Sequence, residues 1–198
     1  MLIADDQALV RGGLAALLEL EPDLRVVAQA ADGQEAVAAV REQRVDVALL
    51  DIEMPGMTGL EATEGIVRGG SGTRCLIVTT FDRPGYLRRA FDAGASGFVV
   101  KDTPAQELAE AIRRVHAGLR VVDPALAEKS LLAGPNPLTA REQDMLREAT
   151  TGASAGQIAR TLHLSAGTVR NHLSSAIGKT GTANRTEAAT VASRNGWL

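Results

Sequence analysis

Along the first 118 residues the apolar positions alternate between two patterns. Leu2-Ile3-Ala4, Arg25–Ala28, Val45–Leu50, Cys75–Thr80 and Gly97–Val100 are short, nearly unbroken apolar runs, the form taken by strands buried on both faces. Between them, Leu9–Leu20, Gln34–Gln43, Leu60–Arg68, Gly85–Ala93 and Ala105–Ala117 repeat apolar residues every three or four positions, which gathers them on one side of a helix. Turn-forming clusters at Asp32-Gly33, Pro55-Gly56, Gly69-Gly70-Ser71-Gly72 and Arg83-Pro84-Gly85 punctuate the series. Five strand–helix units in succession predict an α/β domain, a five-stranded parallel sheet doubly wound with helices on both faces. The first strand has about four residues before Asp5, short for a core strand. Either the register of the sheet accommodates it or residues precede Met1.

After Gly118 the pattern changes. A helix starting at Pro124 is followed by Gly134-Pro135-Asn136-Pro137, a run that forbids regular structure. Beyond it only helical periods occur. Thr139 is an N-cap with Glu142 three residues on, the pattern of a capping box. Ser154–Leu162 and Ser165–Thr180 follow, joined by His163-Leu164, and a last helix over Asn184–Asn195 stops at Gly196. Two short helices joined by a tight turn, the second polar and basic, predict a helix-turn-helix. The expected organisation is an α/β domain over 1–118, a linker with a short helix over 119–136, and an all-α domain over 137–198.

Charge follows the same division. Residues 1–119 carry 12 Lys and Arg against 18 Asp and Glu, whereas residues 120–198 carry 9 against 6. An acidic half joined to a basic half points the second half towards a polyanion. Composition is otherwise ordinary, with 45% hydrophobic and 23% charged residues. No apolar run reaches the roughly 18–20 residues of a membrane span, and one cysteine, Cys75, leaves no internal disulfide framework or thiolate zinc cluster. A soluble, cytoplasmic chain without membrane partners is expected. Cys75 reads as a small buried hydrophobe. The three histidines, His116, His163 and His172, are scattered, which argues against a histidine metal site.

Ligands of an open parallel sheet gather at the carboxyl ends of its strands. Those ends carry Asp5 and Asp6, Asp51, Thr79 and then Lys101. A single strand-end Asp is commonplace; three carboxylates, a hydroxyl and an ammonium on one rim are not. Clustered carboxylates repel unless a cation intervenes, and hard oxygen donors select Mg²⁺ or Mn²⁺. Asp51 could then attack phosphorus as a nucleophile, with Lys101 and the metal clamping the phosphoryl oxygens and Thr79 donating a hydrogen bond to the product.

The motifs Leu2-Ile3-Ala4-Asp5-Asp6, Asp51-Ile52-Glu53-Met54-Pro55-Gly56, Thr79-Thr80 and Val99-Val100-Lys101 closely resemble the receiver domains of bacterial two-component response regulators. The resemblance implies that Asp51 accepts a phosphoryl group from a sensor histidine kinase. It implies Mg²⁺ held by Asp6, Asp51 and the backbone carbonyl of Glu53, with Asp5 helping through water. Lys101 would pair with the phosphoryl group, Thr79 would be the switch hydroxyl, and Phe98 the aromatic that follows it; a strand Phe is equally ordinary core.

In the basic half, Leu138-Thr139-Ala140-Arg141-Glu142, Gln157-Ile158-Ala159, Gly167-Thr168-Val169-Arg170-Asn171-His172-Leu173 and Asn184-Arg185-Thr186-Glu187-Ala188 resemble the LuxR-type DNA-binding domain. Together the halves resemble a NarL/FixJ-type response regulator. Thr79-Thr80-Phe81 and Arg83-Pro84-Gly85-Tyr86, with the Asp51 motif, are locally most similar to the regulators of fatty-acid desaturase and membrane fluidity. The recognition helix would enter the major groove of double-stranded promoter DNA, where Arg170 can bond guanine and Asn171 a base edge. Ser165, Thr168 and Lys179 are placed for phosphates, Ser174 for the same DNA surface, and Val169, Leu173 and Ile177 for the core. Ala176, Thr180 and Thr182 are smaller than the family's usual aliphatics, and Gly178 weakens the helix by about 1 kcal/mol, so a helix end frayed until DNA binds is expected.

The family resemblance further implies a homodimer formed on phosphorylation, with RNA polymerase as a further candidate partner. Leu14, Leu17, Leu18, Ile112 and Val115, the helix near Tyr86, and the last helix around Ala188 and Ala192 are candidate dimer surfaces; Leu17 and Ile112 read equally as core. A metal-dependent phosphotransferase would use the same acidic site but leave the basic half without a role. A phosphorylation-independent DNA-binding regulator, with the first domain as a dimerisation module, would leave Asp5, Asp6 and Lys101 idle. The expected protein is a regulator and not an enzyme.

Overall fold

The computed structural model describes residues 1–80, 84–133 and 136–198, with 84 and 129–133 described by backbone alone. Phe81, Arg83, and Gly134-Pro135 of the expected break lie outside the described residues. The chain divides into two compact units, the first closing at Glu128 and the second running from Lys129 to Leu198.

The first unit alternates strands and helices: β1 (Leu2–Ala4), α1 (Ala8–Leu18), β2 (Ala28–Ala30), α2 (Gly33–Glu42), β3 (Val47–Leu50), α3 (Gly59–Arg68), β4 (Arg74–Thr79), α4 (Pro84–Asp92), β5 (Gly97–Val100), α5 (Ala105–His116) and β6 (Val121–Val122). All pairings are parallel and the order is β2-β1-β3-β4-β5-β6. Successive strand residues point to opposite faces. Leu2, Ala4, Ala48, Leu50, Cys75, Ile77 and Phe98 therefore pack with α2, α3 and α4. Ile3, Val47, Leu49, Leu76, Val78 and Val99 pack with α1 and α5 on the other face. This two-sided burial is why the strands read as unbroken apolar runs.

Two strand assignments differ from the sequence expectation. Val26-Val27 drew the second strand to Arg25–Ala28, but pairing with β1 starts at Leu2↔Ala28 and runs to Ala30. As an edge strand, β2 is picked by register rather than by apolarity; Val27 is 41% exposed. The sheet also has six strands instead of five, because Val121-Val122 from the expected linker pairs with Gly97-Phe98. A two-residue apolar pair carries no periodicity that marks it as strand.

The connector continues as α6 (Pro124–Ala133). Then come α7 (Ala140–Thr150), α8 (Ala155–Thr161), α9 (Ala166–Thr180) and α10 (Arg185–Arg194). Thr139 and Ser154 close capping boxes with Glu142 and Gln157, while Ser165 and Asn184 cap α9 and α10. These helices bury Met145, Leu146, Ile158, Val169, Leu173, Ala176, Ala188 and Ala192 in one core. Ala188 and Ala192 are thus core residues, not the dimer surface considered above. The turn between α8 and α9 bends through His163 at φ 54°, a left-handed conformation that histidine adopts more readily than most side chains. α9 runs through Gly178 to Thr180 and ends on Gly181 at φ 64°. The short Thr180 and Thr182 hydroxyls lie 2.9 Å apart and satisfy each other where larger aliphatics were expected.

Candidate functional site

In the order β2-β1-β3-β4, the connections leaving β1 and β3 run in opposite directions, to β2 and to β4, which opens a crevice beyond the carboxyl ends of β1 and β3. Asp5 and Asp6 follow β1, and Asp51 follows β3. The backbone ladder holds them side by side, Asp51 N–H donating to the Ala4 carbonyl at 2.9 Å and Asp5 N–H to the Ala30 carbonyl at 3.1 Å. Carboxylate oxygens of Asp5, Asp6 and Asp51 all fall within 4.8 Å of one another. Asp5 and Asp51 are buried and Asp6 is exposed, so the cluster opens to solvent at Asp6.

Lys101 leaves the end of β5 and reaches back across the rim. Its Nζ lies 2.6 Å from Asp5 Oδ2 and 2.9 Å from Asp51 Oδ2. Burial would lower the Lys101 pKa, but its hydrogen bonds to Asp5 and Asp51 outweigh burial and raise it. Each buried carboxylate has its other oxygen on a backbone donor, Asp51 Oδ1 on Ile52 N–H at 2.8 Å and Asp5 Oδ1 on Gln7 N–H at 2.9 Å. The carboxylates are therefore fixed in place by backbone and crowded against one another, with the exposed oxygens of Asp6 beside them. Three hard oxygen donors at this spacing fit a small divalent cation. Glu53 lies exposed two residues past Asp51.

Thr79 ends β4, fully buried, and its carbonyl accepts the Lys101 N–H at 2.9 Å. Phe98 pairs with Ile77 on β5 and is fully buried in the core that β4 and α4 share. Of the two readings of Phe98 made from the sequence, this position is that of a core residue, on the strand that delivers Lys101. Close packing sustains the rim: an added Cβ at Gly59 would lie 1.9 Å from the Asp51 carbonyl oxygen. Sequence reasoning passed over Arg11, whose guanidinium donates to the Asp5 carbonyl from the second turn of α1. Only its spacing from Asp5 hints at that contact.

In the second unit Arg170, Asn171 and Ser174 lie exposed along α9, opposite the buried Val169, Leu173 and Ala176. Ser165 Oγ caps the helix by accepting the Thr168 N–H at 3.0 Å and sits 2.8 Å from Thr168 Oγ1. Lys179 turns towards α7, its ammonium 2.7 Å from Glu142 Oε2. Glu142 also accepts from Ser175 Oγ and the Thr139 N–H, both at 2.7 Å. Burial would raise the Glu142 carboxyl, but Lys179, Thr139 and Ser175 together hold it down at about 2. The capping box revealed half of this role; the tie to α9 depends on how α7 and α9 pack.

Residues 1–113 match the response regulator receiver domain, and residues 136–192 match the bacterial regulatory proteins of the luxR family. The chain belongs to the two-component response regulators. It pairs a receiver with a LuxR-type DNA-binding domain, an assembly of transcriptional regulators rather than enzymes. Among relatives, the uncharacterized transcriptional regulatory protein YvfU of Bacillus subtilis is 44% identical over 100% of this chain and 98% of its own. The transcriptional regulatory protein DesR of the same organism is also 44% identical, over 99% and 97%. The response regulator ChrA, from a heme-sensing two-component system, shares 34% identity over 100% of this chain and 97% of its own, with a TM-score of 0.60. Among the described residues no helix is long and apolar enough to cross a membrane.

Proposed function

We propose that this response regulator is switched by transfer of a phosphoryl group to Asp51 from a phosphohistidine of a sensor kinase, with Mg²⁺ at Asp5, Asp6, Asp51 and the Glu53 carbonyl. The observation that carries the reading is the Lys101 ammonium shared between Asp5 and Asp51 inside a cluster of three carboxylates. An Asp51 oxygen forms the new O–P bond as the P–N bond breaks, and the electron pair leaves on the imidazole nitrogen. Bound Mg²⁺ supplies charge stabilisation to the phosphoryl oxygens. Lys101 exchanges its bond to Asp51 for one to the incoming phosphoryl group, and Thr79 donates its hydroxyl to that group, drawing Phe98 with it.

The phosphorylated receiver then pairs with a second copy. Leu9 and Leu17 on α1 are 89% and 49% exposed and Leu20, in the turn after it, is 78% exposed, whereas Leu18, Ile112 and Val115 are core. Exposed Glu107, Glu110 and Arg114 flank this strip on α5, acids towards its start and the base towards its end. An antiparallel two-fold contact brings unlike charges together around the leucines. The dimer presents two recognition helices to half-sites of double-stranded promoter DNA about one helical turn apart. Arg170 and Asn171 read base edges, Ser165, Thr168 and Ser174 face the backbone, and Lys179 braces the helix from beside it. A cytoplasmic place of action completes the reading, with RNA polymerase meeting the complex at the promoter.

Intact mass and oligomeric state after exposure to Mg²⁺ and acetyl phosphate test it. One phosphoryl adduct that needs Asp51 and Mg²⁺, accompanied by dimers, is expected. Absence of the adduct under conditions that modify another receiver leaves a DNA-binding regulator independent of phosphorylation.

A further inference from the structure

The segment that joins the two units is part of the receiver's core. Arg120 lies with its guanidinium carbon 5.2 Å from the centre of the Phe91 ring on α4. Val121 N–H donates to the Ser96 carbonyl at 3.1 Å, and Asp123 N–H to the Phe98 carbonyl at 3.3 Å. These bonds set Val122 level with Phe98 across the β5–β6 pair. Asp123 then caps the next turn, its Oδ1 accepting from Ala125 N–H at 2.8 Å and Leu126 N–H at 3.2 Å. That turn delivers Leu126, 3% exposed, into the same apolar cluster as Phe98, Leu87 and Ala90, with Val122 packed against it. Gly97 makes room for the pairing, since a Cβ there would meet the Val121 carbonyl oxygen at 3.1 Å.

The connector therefore shares backbone bonds and side-chain packing with Phe98. Its hold is local: a two-residue edge strand whose Val121 is buried on the α1 and α5 face, one capped turn and one buried leucine. Elements held by so few contacts open far below the global unfolding free energy. Phe98, Leu126 and Val122 share one apolar cluster, so a change in the Phe98 ring alters the packing on which the connector rests.

We propose that Val121–Leu126 is the output lever of the receiver, docked on β5 and α4 while Phe98 fills the core and released when Phe98 is displaced. Release lengthens the tether to the DNA-binding domain and frees α4 and β5 together. The inference rests on the phosphorylation reading above and adds to it the residues that sense the change. Coupling is reciprocal, so release of the dock favours the phosphorylated state by the factor with which phosphorylation favours release, and that factor is the ceiling for a variant that only weakens the dock.

Hydrogen exchange of the full chain tests this, before and after treatment with acetyl phosphate and Mg²⁺, with the adduct counted by intact mass. Exchange at the Val121 and Asp123 amides is expected to speed up by about tenfold or more, within the usual range of allosteric coupling, and to stay unchanged in Asp51→Asn. An adduct with unchanged connector exchange overturns the lever and leaves the phosphorylation reading standing. No adduct overturns that reading and the lever with it. In a second arm, Leu126→Ala is expected to bind the phosphoryl mimic beryllofluoride more tightly, by up to that factor. Unaltered affinity, with connector exchange already fast in this variant, overturns the lever independently of any covalent step.

Discussion

The Lys101 ammonium lies 2.9 Å from Asp51 Oδ2, joining the end of β5 to the end of β3 across the intervening strand β4. It also bonds Asp5 at 2.6 Å, so one cation offsets two buried carboxylates. Removing it leaves like charges in a crowded, poorly solvated crevice. Lys101→Ala is expected to lower the melting temperature of the metal-free protein, and saturating Mg²⁺ to restore more of it than in the wild type. Thermal unfolding with and without Mg²⁺ checks this. An equal Mg²⁺ response in both proteins would show that the metal does not take over the charge role of Lys101.

Two glycines make opposite predictions. At Gly59 a Cβ would fall 1.9 Å from the Asp51 carbonyl oxygen, and backbone on both sides prevents relief. Gly59→Ala is expected to cost about 3 kcal/mol or more, the upper end for overpacking, and to disturb metal binding along with stability. At Gly178 nothing lies within 4 Å of an added Cβ, and the residue is helical and exposed. Gly178→Ala is expected to stabilise the DNA-binding domain by about 0.5–1 kcal/mol. Urea unfolding followed by Trp197, the single tryptophan, which packs on that domain's core, reads the second effect.

Glu142 sets a pH dependence. Its carboxyl is held at about 2 in the folded domain and titrates near 4.3 in an unfolded chain. A depressed carboxyl stabilises the fold above the unfolded value, and that contribution is lost as pH falls towards 2. Unfolding of the wild type from about pH 6 down to about pH 2, a range that spans these values, is therefore expected to show a steeper fall in stability than that of Glu142→Gln. The variant also starts less stable at neutral pH, because Lys179 loses its partner. Parallel curves for the two proteins would rule the carboxylate out as the source.

The exposed leucines of α1 and of the turn after it give a prediction separable from the chemistry. Leu9→Arg with Leu20→Arg places two charges on the apolar strip, where Leu9 and Leu20 touch little of their own chain. The phosphoryl adduct is expected to form as before, while the dimer seen by light scattering disappears. Persistence of the dimer would move the contact away from α1.

The acidic site was legible because strand ends are legible. Asp5, Asp6, Asp51, Thr79 and Lys101 each follow an unbroken apolar run, and in a parallel sheet those ends share one rim whatever the loop lengths. The Thr139 cap was equally local, a side chain answering a backbone donor three residues on, and the helices capped by Ser154, Ser165 and Asn184 were expected to begin at those residues. The β6 pair was not legible. Two valines carry no period, and their strand character depends on the free edge of β5 beside them. The partner of Lys179 was hidden for a related reason, because Glu142 lies 37 residues away in sequence.

The sequence by itself determined the alternation of strands and helices, the polarity of each strand end, and the two-domain chemistry of acid followed by base. Those are set by near-neighbour periodicity, which any compact arrangement must respect. Tertiary structure alone decided that Lys101 bonds both Asp5 and Asp51, that Leu18, Ile112, Ala188 and Ala192 are core while Leu9 and Leu20 face solvent, and that the connector docks beside Phe98. Each depends on which surfaces meet, and a helix with leucines all around its circumference does not say which of them the core will take.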